Sequence, residues 1–396
     1  MVRTHKLLDG TEGLRVGREP GPGDDGTWMD RAIDLAWLGS GRTRPNPLVG
    51  AVVVCDGRVV GDGYHAARGR EHAETEALDR AGPAALGATL YVTLEPCVHY
   101  GRTPPCTDRI LDSGVRRVVV GTLDPDPRVG GRGIEALRSH GIEVALGVRA
   151  ERALLLNLPY FKNALQLGPV VTLKMACSLD GRIAARRGSR DTISGAEARR
   201  FAHRLRAIHD GVLVGSETLL VDSPQLDCRL LDGIPAPTPV VMDARLRFPS
   251  GYRWTGERRP FIVVAGDDCD DTRRARIVDQ GGRVLTCARQ DGRLDPRSLL
   301  ESVGKAGIHS LLVEGGAEVF SSFARRGLWD AMHLFVSPIM FGPDGVGMAE
   351  TAIDRDRLGA VSVGVSKFDS DILISYLRST TRTALLERLL PRVSWE

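Results

Sequence analysis

Four side chains in the first third of the chain have the types and spacing for metal-assisted proton transfer: His72, Glu74, Cys97 and Cys106. One neutral imidazole and two thiolates make a formally neutral site around Zn²⁺. Three protein ligands leave the fourth position open for water, as in catalytic zinc sites. Bound zinc brings the pKa of such a water to about 7. Glu74, two residues from His72, can lean over a substrate while His72 ligates, so it is assigned the catalytic proton shuttle. Taken singly, His-Ala-Glu is an ordinary helix start and two cysteines are an ordinary core feature. Their shared order carries the reading, and His99 is the only nearby candidate for a fourth protein ligand.

The elements that must hold these groups are legible around them. Asp30–Ser40 is amphipathic, with Ile33, Ala36 and Trp37 on one face. Gly50–Val54 and Arg58–Gly61 flank Asp56–Gly57, a strong hairpin signal. The pattern then predicts a helix over His72–Ala81, a strand over Thr89–Thr93, a helix over Pro105–Ser113 and a strand over Arg117–Gly121. A further helix–strand pair ends near Val148. The cysteines thus meet a helix N-terminus, whose dipole favours thiolate. Arg149–Pro169 reads as a mixed helical connector, and a second α/β series follows. Its strands are Val170–Lys174, Gly211–Gly215, Val240–Met242, Phe261–Val264 and Leu311–Val313. Apolar strands separated by helices imply α/β layers in both halves, and no internal repeat relates them. The expected organisation is a disordered leader over 1–26, a metal-bearing domain over 27–150, a connector over 151–169, a second domain over 170–380 and a tail over 381–396.

Composition narrows the class. Among 396 residues, 42% are hydrophobic and 26% charged, which suits a globular protein of two domains. The net charge of +3 is spread along the chain, so no nucleic-acid surface is expected. No apolar run has the length to span a bilayer. Seven scattered cysteines do not form a disulfide framework, and a cytoplasmic setting follows.

The order His-x-Glu, Pro-Cys, Cys is the signature of zinc deaminases. The longer segment Thr93–Cys106, with Asn46–Ala51, Gly63–His65 and Asp124–Pro125, closely resembles the bifunctional riboflavin-biosynthesis deaminase–reductases. Leu173–Lys174, Ser178–Ala184, Thr218, Asp222–Arg229 and Val313–Gly316 resemble the reductase domain of that family. The resemblance implies a cytidine-deaminase-like three-layer domain followed by a dihydrofolate-reductase-like α/β domain, with Zn²⁺ and NADPH as cofactors. Asn46 and His65 are then expected at the pyrimidine, and Arg102, Asp124 and Asp126 at the sugar phosphate. Lys174, Arg206, Gln225, Leu226, Arg229 and Glu314 are expected to hold the reductase substrate. Ala176, Thr192, Thr218, Asp222, Gly315 and Gly316 are expected along NADPH. The implied substrate is a phosphorylated pyrimidine, and a homo-oligomer through the reductase domain is expected.

Read from the residues alone, the second half says less. Glu314–Gly315–Gly316 after a strand suits either a phosphate at a helix N-terminus or a plain tight turn. Arg206 and Arg229 suit an oxyanion or a solvated surface. Lys174 in an apolar strand needs a partner or a ligand. Three positions depart from the family pattern: Asp126 replaces Asn, Thr192 replaces Trp, and Arg190 replaces a small residue. A paralogue that deaminates a related pyrimidine with a weak or inactive reductase is therefore an alternative, as is a scaffold protein, against which Glu74 argues.

Overall fold

The computed structural model describes residues 24–100, 104–231, 233–254, 259–381 and 383. Arg102, the leader reading up to residue 23, and nearly all of the expected tail lie outside the described residues. The chain divides into two compact units, with the division between Leu167 and Gly168. No described helix is long and apolar enough to cross a membrane.

The first unit opens with α1 (Asp25–Ala36), which begins inside the expected leader. The reason is electrostatic as well as apolar: Arg117 donates two hydrogen bonds of 2.8 Å to the Asp25 carboxylate, and the Tyr91 hydroxyl donates a third. Then come β1 (Gly50–Cys55), β2 (Arg58–Tyr64), α2 (Ala73–Ala81), β3 (Thr89–Val92), α3 (Cys106–Ser113), β4 (Arg117–Val120), α4 (Arg132–Ser139) and β5 (Glu143–Leu146). The hairpin closes with Cys55 paired to Arg58, and Asp56 and Gly57 both take positive φ, as a two-residue turn of that hand requires. Sheet order is β2-β1-β3-β4-β5, antiparallel at the hairpin and parallel beyond β3. Its core packs Val53, Leu90, Val92 and Val118 against Ala73, Ala77, Leu78 and Ile110. Helix α2 lies almost on the backbone of β2: a Cβ on Gly61 would stand 2.2 Å from the Ala77 carbonyl, and one on Gly63 2.6 Å from that of Ala73.

The expected connector folds as two helices of this unit, α5 (Ala150–Leu156) and α6 (Leu158–Ala164). Phe161 is fully buried, and buried Asn157 exchanges two hydrogen bonds of 2.7 Å with the Leu48 backbone.

The second unit runs β6 (Val170–Ser178), β7 (Arg182–Ala184), α7 (Ala196–Ile208), β8 (Gly211–Gly215), α8 (Ser216–Asp222), β9 (Thr238–Met242) and β10 (Phe261–Gly266). It continues with α9 (Asp271–Asp279), β11 (Gly282–Cys287), β12 (Arg289–Gln290), β13 (Arg293–Leu294), α10 (Pro296–Lys305), β14 (Ser310–Val313) and α11 (Ala317–Arg325). It ends with β15 (Ala331–Ser337), β16 (Val346–Gly347), α12 (Arg355–Leu358), β17 (Ala360–Phe368) and β18 (Asp371–Arg378). Nine strands form one sheet, β11-β10-β9-β8-β14-β6-β15-β18-β17, parallel except for its last two strands. The predicted strands all lie in its parallel part. The antiparallel margin was not predicted, although Ala360–Phe368 and Asp371–Arg378 alternate in the manner of half-buried strands.

Candidate active sites

In the first unit, His72 is the N-cap of α2, Glu74 lies in the first turn, and Cys106 is the first residue of α3. His72 Nδ1 lies 3.0 Å from Cys106 Sγ and 3.7 Å from Cys97 Sγ, and the three ligand atoms fall within 4.8 Å of one another. Tetrahedral bonding to one zinc places such atoms roughly 3.5–3.8 Å apart; the Cys97 distance falls in that range and the 3.0 Å Cys106 distance is shorter, so seating that ion needs His72 and Cys106 to part slightly. The Cys106 amide donates to Cys97 Sγ at 3.4 Å. Hydrogen bonds from Cys106 and His72 outweigh burial and bring the Cys97 thiol down to about 4, whereas its thiolate neighbour and burial push Cys106 well up. A divalent cation held by the cluster would favour ionisation of the second thiol. The Glu74 carboxyl is buried, and that burial raises its pKa.

Around this cluster, His65 stands edge-on to His72 with ring centroids 5.7 Å apart. Its Nδ1 faces the Glu71 carbonyl at 3.0 Å, which sets Nδ1 as the protonated nitrogen and leaves Nε2 to accept from Asn46 Nδ2 at 3.3 Å. Burial lowers the His65 pKa, in keeping with a neutral ring. Asp124 accepts from the Asp126 amide and from the Tyr160 hydroxyl, both at 2.8 Å. Burial still lifts its carboxyl to about 6. The charge of Asp126 is offset locally, because Arg128 grips it through Nε and Nη2 and holds its pKa down.

Glu95 was not among the predicted site residues. It is almost fully buried, and its carboxylate accepts from the backbone N–H groups of Asp124, Gly131, Gly133 and Ile134. It thereby ties the Asp124 loop and the start of α4 to the strand end that leads into Cys97. A carboxylate inside the otherwise uncharged Thr93–Cys97 run was its one signal in the sequence.

In the second unit, Lys174, Ala176, Thr192, Arg206, Thr218, Asp222, Arg229, Glu314, Gly315 and Gly316 share the wall of one cleft of about 1140 Å³. Glu314 directly follows β14 and takes two hydrogen bonds from Arg206, at 2.9 Å from Nε and 2.8 Å from Nη2. Burial opposes ionisation of Glu314, but Arg206 and Lys174 prevail and hold its carboxyl at about 2. Burial lowers the Lys174 pKa, with Glu314 opposing, and Nζ sits 5.7 Å from the centroid of the Phe335 ring. Arg229 donates to Asp227 at 2.6 Å. Gly316 caps α11, and its amide donates to Thr218 Oγ1 at 3.2 Å. Gln225 and Leu226 are not on that wall: their carbonyls bind Arg259, and the Leu226 side chain is buried. Arg190 lies near enough to Asp222 to favour its ionised form, against the burial that raises its pKa.

These folds and donor sets define a class: a cytidine-deaminase-like zinc domain joined to an α/β reductase domain. The cytidine and deoxycytidylate deaminase zinc-binding region matches residues 22–122, and the RibD C-terminal domain matches residues 169–374. The riboflavin biosynthesis protein RibD of Aquifex aeolicus is 39% identical over 357 residues, covering 89% of this chain and 98% of the relative. That of Escherichia coli is 37% identical over 342 residues, covering 82% and 90%. The solved Acinetobacter baumannii RibD superposes with a TM-score of 0.77 at 35% identity, covering 90% of this chain and 99% of that one. A Thermotoga maritima diaminohydroxyphosphoribosylaminopyrimidine deaminase/5-amino-6-(5-phosphoribosylamino)uracil reductase gives 0.75 at 38%, covering 89% and 98%. The chain belongs to the RibD family of riboflavin-biosynthesis proteins.

Proposed function

We propose that this enzyme hydrolytically deaminates a diaminopyrimidinone ribosylamine 5′-phosphate and then reduces the ribosyl group to ribityl with NADPH. The observation that carries the reading is a buried Glu74 beside the His72–Cys97–Cys106 set, in the same chain as the Lys174–Arg206–Glu314 cleft. Zinc held by those three ligands supplies a Lewis acid that acidifies water. Glu74, whose burial favours the protonated form, would carry one proton from water to the ring nitrogen as hydroxide adds to the ring carbon, and a second from the added hydroxyl to the amino group that leaves as ammonia. His65 fixes the carboxamide of Asn46 at the pyrimidine edge. Arg102, Asp124 and Asp126 serve the sugar phosphate, and Arg128 keeps Asp126 from repelling it.

In the reductase, Lys174, Arg206, Gln225, Leu226, Arg229 and Glu314 hold the substrate. Ala176, Thr192, Thr218, Asp222, Gly315 and Gly316 run along NADPH, whose chemistry is hydride donation. The amide end of α11 suits its phosphates. Nothing in the cleft favours the paralogue with an inactive reductase. The enzyme is read as cytoplasmic, as a homo-oligomer through the reductase unit, and as binding neither nucleic acid nor membrane; the dispersed net charge of +3 supports the last point. The test supplies the diaminopyrimidinone phosphate with and without NADPH. Ammonia should appear in both arms and NADPH oxidation only in the second; ammonia without any oxidation would refute the two-step reading.

A further inference from the structure

His203 lies on α7, one turn before Arg206, and contributes to the wall of the reductase cleft with Lys174, Arg229 and Glu314. It is 5% exposed, and its Nδ1 is shut away from solvent with no hydrogen-bond partner. With Nδ1 sealed, the ring can meet a cleft ligand only through Nε2. The charged groups around it are already engaged with one another: Arg206 with Glu314, and Arg229 with Asp227. Nε2 is not among the atoms sealed from solvent and makes no hydrogen bond among the described residues, so it is the ring nitrogen left for a ligand in this cleft. Burial, aided by Arg206 and Arg229, brings the imidazole down to about 4, so the ring is neutral under ordinary conditions.

We propose that His203 is a further substrate-binding residue of the reductase, its Nε2 hydrogen bonded to a hydroxyl of the substrate's sugar. A neutral imidazole suits a neutral hydroxyl, while the neighbouring guanidinium groups suit the charged part of the same molecule. The inference rests on the reductase reading above and deepens it.

The test uses the full chain carrying His203→Ala and His203→Gln. The KM for the deaminated phosphoribosylaminouracil should rise about five- to tenfold in His203→Ala, the worth of one hydrogen bond. The KM for NADPH and the rate of ammonia release should stay put, and His203→Gln should recover most of the loss. Titration with ribose 5-phosphate and with inorganic phosphate gives a readout independent of turnover. Weakened binding of ribose 5-phosphate alone supports the sugar-hydroxyl contact, whereas equal weakening for inorganic phosphate overturns it. An unchanged KM in His203→Ala overturns the proposal, as does a fall in melting temperature with both KM values raised alike in both variants. If the unaltered enzyme binds ribose 5-phosphate through His203 yet never oxidises NADPH, the reductase reading fails while the contact stands.

Discussion

The two sites solve the problem of buried charge in opposite ways. In the first unit, His72, Cys97 and Cys106 are gathered so closely that the Cys97 thiolate opposes ionisation of Cys106, which an added cation would favour. In the second, the charges answer one another: Arg206 grips Glu314, and Arg229 grips Asp227. The first site is thus completed by what it binds and the second is largely completed by the chain. The deaminase centre should respond to loss of metal or of one proton carrier, and the reductase cleft to pH and to loss of one ion-pair partner.

The sharpest way to break the contrast is Glu74→Gln. Ammonia release should fall about 10²–10⁴-fold, the usual worth of general acid–base catalysis. Zinc content by elemental analysis should hold near one per chain, and NADPH oxidation on the deaminated substrate should be unaffected. Normal deamination by a zinc-replete variant would remove Glu74 from its role.

Next in size is Arg206→Ala, which leaves Glu314 buried without its partner and should cost roughly 3–5 kcal/mol of reductase stability. The sign with pH follows from the depressed Glu314 carboxyl, at about 2 against an ordinary 4.5. The pair's contribution is present in full above about 4.5 and is lost as pH falls toward 2. Denaturant melts should show that acid loss in the unaltered chain and a smaller one in the variant, where Lys174 still faces Glu314, while zinc content stays the same in both.

Tyr160→Phe is a milder probe of the first unit. Removing the hydroxyl that helps Asp124 ionise should move its pKa above about 6 and raise the acid limb of deamination by up to about one unit. A profile that does not move would detach Asp124 from the substrate. The smallest effect is expected at Thr192, an exposed residue of the cleft wall. Thr192→Trp should tighten NADPH by about 0.5–1.5 kcal/mol through aromatic packing, read by fluorescence titration. Weaker binding would show that this wall does not face the nicotinamide.

What the sequence disclosed follows the same division. The metal set was legible because His72 and Cys106 stand at helix starts and Cys97 in the Pro-Cys step before the second, each a local signal. The Asp56–Gly57 hairpin and the apolar parallel strands were legible for similarly local reasons. Glu95 and the partnership of Tyr160 with Asp124 were not, since each depends on a contact between segments distant in sequence: the Tyr160 hydroxyl reaches back 36 residues to Asp124. The reductase cleft fell between. Lys174 announced itself as a charge in an apolar strand, but its relation to Glu314 emerges only when β6 and β14 pair in parallel. Resemblance supplied the rest of that cleft, including Gln225 and Leu226, whose carbonyls accept from Arg259.

Asn157 bears on how this gene can be divided. Its side chain binds both the amide and the carbonyl of Leu48, two residues beyond Asn46, across 109 residues of chain. The wall that presents Asn46 is therefore latched by a helical segment lying after the last strand of its own sheet. Cutting the coding sequence at the end of β5 would preserve every zinc ligand and discard the latch. A gene fission beyond α6 would keep that latch with the deaminase, as would a graft that carries the helix pair with it.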